Sequence, residues 1–201
     1  LTLTIAMNHL AHLYLSQKDV DLMVGNFIAD HIKSTKLSNF SEGIQNGILM
    51  HRAIDHFTDN HPLVKKSKER LFPKYSHYAA VLVDMFYDHI LAKKWSTYSP
   101  LSLESFSRSA YQVLKSKVAE MPDRSIMILD YMSRQDWLTS YGQIEGMGKA
   151  LTGISKRAKF NSRMEEAIVD LKRDFNLYEA EFTPFFAALF EFAMNWEAPA
   201  K

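Results

Sequence analysis

The chain has 201 residues, 47% hydrophobic and 23% charged, which gives material for one real core and excludes a disordered composition. A formal net charge of +1 lacks the basic excess of a nucleic-acid binder. Cysteine is absent, which excludes a disulfide framework, a thiolate zinc site and a thiol nucleophile, and fits a reducing cytoplasm.

Residues 1–6 carry no positive charge and no long apolar run, so they make no signal peptide. The helical pattern improves at Met7, and 1–6 is expected to be a disordered or non-native extension of a single domain spanning 1–201. With seven Gly, six Pro and weak strand signals, the fold class is all-α. Periodicity predicts helices at about 7–15 and 19–32, with Gly25-Asn26 a weak point in the second. Ser41 caps a third helix running to about Thr58, and His61-Pro62 opens a fourth ending near Pro73. A very apolar fifth spans 76–95, and Ser102 caps a sixth reaching Met121. Another follows from Pro122 to about Tyr141. A glycine-marked stretch from Gly142 to Gly153 is read as either a helix or a mobile loop. The last helix spans 162–196, with a bend expected at Pro184. No run of 18 apolar residues predicts a membrane span.

All eight histidines lie at or before His89, which concentrates the candidate metal and acid–base chemistry there. On the third helix Ile44, Ile48, His51, Asp55 and Thr58 share one face, and that face begins apolar. His51 and Asp55 are therefore expected on the inward side, one turn apart. They either reach one ion or form a hydrogen bond that locks the helix. Asp59 follows one turn later. On the fifth helix Asp84 and Asp88 are four apart amid apolar residues, and their mutual repulsion calls for a divalent cation or a guanidinium. His9 and His12, three apart on the first helix, can share a side. Oxygen and imidazole donors without sulfur suit Mn²⁺, Mg²⁺, Fe or Zn, and a carboxylate-rich set favours Mn²⁺ or Mg²⁺. Such an ion suits phosphate-ester hydrolysis. No Gly-x-Ser-x-Gly elbow and no Gly-x-x-x-x-Gly-Lys loop occurs.

Met7-Asn8-His9-Leu10-Ala11-His12-Leu13 and Gly25-Asn26-Phe27-Ile28-Ala29-Asp30 resemble segments of the acyl carrier protein phosphodiesterase family. His51-Arg52-Ala53-Ile54-Asp55 with Thr58-Asp59-Asn60, and Asp84-Met85-Phe86-Tyr87-Asp88-His89 with Trp95, are similar to two further motifs of that family. Beyond residue 100 the likeness is looser, Gln135-Asp136-Trp137-Leu138 being the best piece. The resemblance implies a helical bundle related to HD-domain phosphohydrolases. It also implies Mn²⁺- or Mg²⁺-dependent removal of 4′-phosphopantetheine from holo-acyl carrier protein. Carried over by position, Asp30 is the essential residue, with His51, Asp55 and Asp88 as further metal ligands. Asp59, Asp84, His89 and His12 become second-layer or phosphate-facing groups, and Arg52 a phosphate contact. One departure stands out: an HD domain has His followed by Asp, whereas here the adjacent pair is Asp88-His89.

The leading expectation is a cytoplasmic hydrolase acting on acyl carrier protein, with no nucleic-acid or membrane partner. An acidic carrier would meet a basic face at Lys65-Lys66 with Lys68 and Arg70, at Lys93-Lys94, or at Lys156-Arg157-Lys159. Two alternatives keep the same residues: an HD-like phosphohydrolase of a nucleotide or other small phosphoester, and a non-catalytic helical binding module.

Overall fold

The computed structural model describes residues 9–16 and 19–199, so the expectations for 1–6, Met7 and Asn8 lie outside the described residues. Helix starts follow local capping chemistry. Asp19 accepts from the Leu22 amide ahead of α2 (Val20–Ile28). Ser41 caps α3 (Glu42–Asn60), His61 caps α4 (Pro62–Tyr75), and Ser102 caps α7 (Leu103–Ser116). Helix α1 spans His9–Leu15, and α5 (Ala79–Lys93) starts without such a cap. The short α6 (Trp95–Tyr98) closes the first half. The second half holds α8 (Asp123–Gln135), α9 (Trp137–Ser140), α10 (Ile144–Ser155) and α11 (Ala167–Met194). No strand occurs among the described residues, and none of their helices is long and apolar enough to cross a membrane.

Helix α5 is the central element. Leu82, Val83, Met85, Phe86, Tyr87, Asp88, His89, Ile90 and Leu91 are all buried, so every side of it is covered. It packs on α1, α4, α10 and α11. Phe182, Phe185 and Phe186 of α11 close the core against Tyr14, Tyr87 and Tyr98.

Helices α2 and α3 make the closest pairing, main chain against main chain. A Cβ on Gly25 would lie 2.7 Å from the Gly47 Cα, and one on Gly47 would lie 2.8 Å from the Gly25 Cα. The weak point at Gly25 is thus an approach of another backbone.

Three boundaries differ from expectation, and one open alternative is settled. The second helix stops at Ile28, and Ala29–His31 form a 3-10 turn. The helix expected over 122–141 breaks at Asp136 (φ 43°, ψ 59°), a left-handed position that Asp tolerates and that Ser107 Oγ anchors by donating to its carboxylate. The glycine-marked stretch is a helix, α10. Helix α11 departs from helical geometry at Asp174 (φ −109°, ψ 17°), ten residues before Pro184. There Arg173 reaches both Asp170 and Asp174 at the surface. Pro184 lies within the helix among the buried Phe182, Phe185 and Phe186.

Candidate active site

Three elements bring the functional side chains together: α1, the end of α2 with its 3-10 turn, and the middle of α3. The inward stripe of α3 delivers His51 and Asp55 as the periodicity requires. His51 Nε2 lies 3.1 Å from Asp55 Oδ2 and 3.6 Å from Asp30 Oδ1. His12 stacks on His51, ring centroids 4.1 Å apart, with its Nε2 3.2 Å from Asp55 Oδ1. One donor atom each from His12, His51 and Asp55 lies within 4.8 Å of the others. The histidine side chains are 3% and 7% exposed and that of Asp55 44%, so the site opens to solvent on the Asp55 side.

The tautomer of His12 follows from its partners. Ser16 Oγ donates to the His12 carbonyl, leaving Ser16 to accept from Asn26 Nδ2 at 2.6 Å. That orients Asn26 Oδ1 toward His12 Nδ1 at 2.8 Å. An amide oxygen only accepts, so Nδ1 carries a proton, and Nε2 is the ring nitrogen left to face Asp55. This Nε2 is buried and makes no hydrogen bond, although Asp55 faces it. An imidazole nitrogen and a carboxylate oxygen converging on one space could hold a cation between them. Two imidazoles and two carboxylates without sulfur are a donor set that could hold a divalent cation.

Electrostatics agree with a charged cluster. Burial pushes the Asp55 carboxyl up, but His12 and His51 more than offset it and leave it well below the ordinary carboxylate range. Burial likewise raises Asp30, and hydrogen bonding and charge from His51 bring it below its ordinary value. Burial disfavours protonated His51, yet Asp30 and Asp55 outweigh it and lift the imidazole to about 10.

Asp30 sits on the 3-10 turn between two anchors. Arg52 donates through Nη2 to the Ile32 carbonyl at 3.2 Å, and His31 Nδ1 meets Ser125 Oγ at 3.0 Å. Arg52, expected as a phosphate contact, ties down this turn through Nη2.

The remaining sequence-predicted residues are placed elsewhere. Both oxygens of Asp88 accept first-turn amides of α1, Leu10 N at 2.9 Å and Ala11 N at 3.0 Å. The positive charge expected to offset this carboxylate is a helix N-terminus. Burial raises its pKa to about 7 against those two bonds. Asp84 lies one turn earlier, its carboxyl raised well above the ordinary value by burial, with Lys68 opposing and Asp55 and Asp59 adding. Asp59 pairs with Lys68 at 2.5 Å on the surface. His89 leaves α5 on another side, where its Nδ1 meets the Tyr141 carbonyl at 2.6 Å.

Sequence reasoning gave no role to His9 or Asn26. His9 is buried with an unpartnered Nε2, and burial, with His12 and His51 adding and Asp30 opposing, holds it neutral with a pKa of about 3. The i, i+3 spacing of His9 and His12 was the available signal.

The basic runs are largely engaged within the chain. Lys66 and Arg70 meet Glu181, Lys68 meets Asp59, and Lys94 meets Glu179. Lys93 and Lys159 lie over the rings of Phe175 and Phe160.

A family model described as acyl carrier protein phosphodiesterase matches residues 7–189. Relatives named acyl carrier protein phosphodiesterase include one from Klebsiella pneumoniae (strain 342), 30% identical over 190 residues, covering 94% of this chain and 98% of the relative. One from Enterobacter sp. (strain 638) is 29% identical with the same coverage. One from Escherichia coli O6:H1 (strain CFT073) is 29% identical over 186 residues, covering 92% and 96%. No solved structure matches the chain.

Proposed function

Because the chain belongs to the acyl carrier protein phosphodiesterase family, we propose that it is a divalent-metal-dependent hydrolase releasing 4′-phosphopantetheine from holo-acyl carrier protein. The reaction adds water across the phosphodiester. The bond between phosphorus and the carrier serine oxygen breaks, giving apo-carrier and the free phosphopantetheine arm. The observation that carries this reading is the convergence of His12, His51 and Asp55, with Asp30 beside them.

His12, His51, Asp55 and Asp30 would hold the ion. A bound Mn²⁺ or Mg²⁺ supplies a Lewis acid for a phosphoryl oxygen and lowers the pKa of water. The chain's own residues prepare that site. Asn26 and Ser16 fix the His12 ring with its Nε2 turned toward Asp55. Arg52 and Ser125 hold the turn that carries Asp30. The burial of both rings limits access to one side, so the phosphodiester enters past Asp55.

The test is to incubate the protein with holo-acyl carrier protein and Mn²⁺ and follow the carrier mass. Loss of the arm is expected, with His12→Ala and Asp55→Ala each slower by more than about a hundredfold, beyond the usual effect of groups behind the ligands. An unchanged carrier mass with every divalent metal tried overturns the proposal.

A further inference from the structure

Helices α8, α9 and α10 enclose a cavity of about 770 Å³ that shares no residue with the His/Asp cluster. Its size lies within the range of small-molecule pockets, roughly 300–1,000 Å³. One wall is a single face of α10, where Gly146, Ala150 and Gly153 alternate with Lys149, and Lys156 follows at its end. Met127 and Tyr131 of α8 form the facing lip and are 67% and 60% exposed.

The two glycines differ in what they do. A Cβ on Gly146 would strike the Ser140 carbonyl, so its absence lets α9 and α10 touch. A Cβ on Gly153 would meet nothing within 4 Å. A larger residue there would fit the space and favour the helix, yet the space is left open.

The chemistry of the lining points one way. None of the lining residues is acidic. The side chains of Lys149 and Lys156 form no ion pair or hydrogen bond among the described residues. Tyr141, fully buried, also lines the cavity, and its hydroxyl has no partner. An apolar cavity with unpaired cations at its edge is complementary to an anion with an apolar tail.

We propose that this cavity binds a free long-chain aliphatic carboxylate, its tail among Met127, Tyr131 and Trp137 and its carboxylate on Lys149 and Lys156. The inference is independent of the phosphodiesterase reading, because the site is separate and its readout is binding.

The experiment titrates hexadecanoate, below its micelle concentration, into the full chain by calorimetry, with Trp137 fluorescence as the local reporter. Saturable binding to one site is expected. Gly153→Phe fills the cavity and abolishes it, while circular dichroism stays that of the parent. The Lys149→Glu/Lys156→Glu double variant weakens binding at least about tenfold, as expected for lost charged hydrogen bonds. Should Gly153→Phe fail to fold, the double lysine variant still decides. Hexadecan-1-ol binds at least as weakly as hexadecanoate binds the double variant. The proposal is overturned by no saturable binding, by affinity that the variants leave unchanged, or by equal affinity for the alcohol. It is also overturned by self-association that Gly153→Phe removes with no acid bound, which would make the cavity a contact between copies of this chain.

Discussion

At the scale of single residues, orientation decides the site more than residue type. Asn26 touches no candidate substrate position, yet it sets which His12 nitrogen is free. Asn26→Ala is expected to weaken Mn²⁺ binding about 10–100-fold, the usual effect of removing a group behind a ligand. Calorimetric titration of Mn²⁺ checks this. Asp88 tests the opposite case. Asp88→Ala leaves one buried and one half-buried amide of α1 without acceptors, the buried one costing about 1–3 kcal/mol. Asp88→Asn keeps one acceptor and is expected to lower the melting temperature while leaving Mn²⁺ affinity within a few-fold of the parent. Loss of Mn²⁺ binding in a folded Asp88→Asn protein would return Asp88 to the ligand set. His51 and Asp55 were legible from helical spacing alone. Asp30 was legible only through the family likeness, since a carboxylate near a glycine carries no distinctive signal. The pairing of His12 with Asn26 was invisible, because it depends on how α1 meets α2. The carboxylates Asp84 and Asp88 did announce a need for compensation. Spacing could not say that one would find it in main-chain amides.

At the scale of elements, the α2–α3 contact sets the distances within the cluster. Asn26 and Asp30 hang from one side of it and His51 and Asp55 from the other. Gly47→Ala puts a methyl group into the Leu22 and Gly25 backbone, so the helices must separate. The expected cost is about 1–3 kcal/mol for overpacking. Activity should fall further than stability, because the His51–Asp30 and His12–Asn26 distances grow together. Urea denaturation and turnover on one preparation separate the two effects. The elements themselves were mostly readable. The caps at Ser41, Ser102 and His61-Pro62 stand where sequence put them. The breaks were not, for a reason visible at Asp136 and Asp174. Neither residue is a helix breaker by type. Each break accompanies a side-chain anchor from a distant or surface partner, Ser107 in one case and Arg173 in the other.

At the scale of the molecule, α4 and α11 are fastened by buried charge. Arg70 donates twice to Glu181, at 2.9 and 2.6 Å, and Ser67 Oγ adds a third bond at 2.5 Å. Tyr75 and Lys74 meet Asp170 in the same interface, at 2.5 and 3.0 Å. Burial pushes both carboxyls up, but these partners hold them below their ordinary values of 4.5 and 3.8. A depressed carboxyl contributes stability above its unfolded value and loses it as pH falls through the folded one. The melting temperature should therefore hold above the ordinary carboxylate range and drop below it. Arg70→Met leaves Glu181 buried without its main partner, at a cost of about 3 kcal/mol. It should also move the acid decline to higher pH, which a series of melts across pH reads directly. The anchoring of α1 by Asp88 has a consequence of another kind, in the order of assembly. A helix of seven residues is too short to persist by itself. Its anchor lies 78 residues further along the chain. During synthesis the segment carrying His9 and His12 must wait, unfixed, until α5 has left the ribosome. The cluster is then completed in one late closure, and a half-made chain holds only its members on the 3-10 turn and on α3.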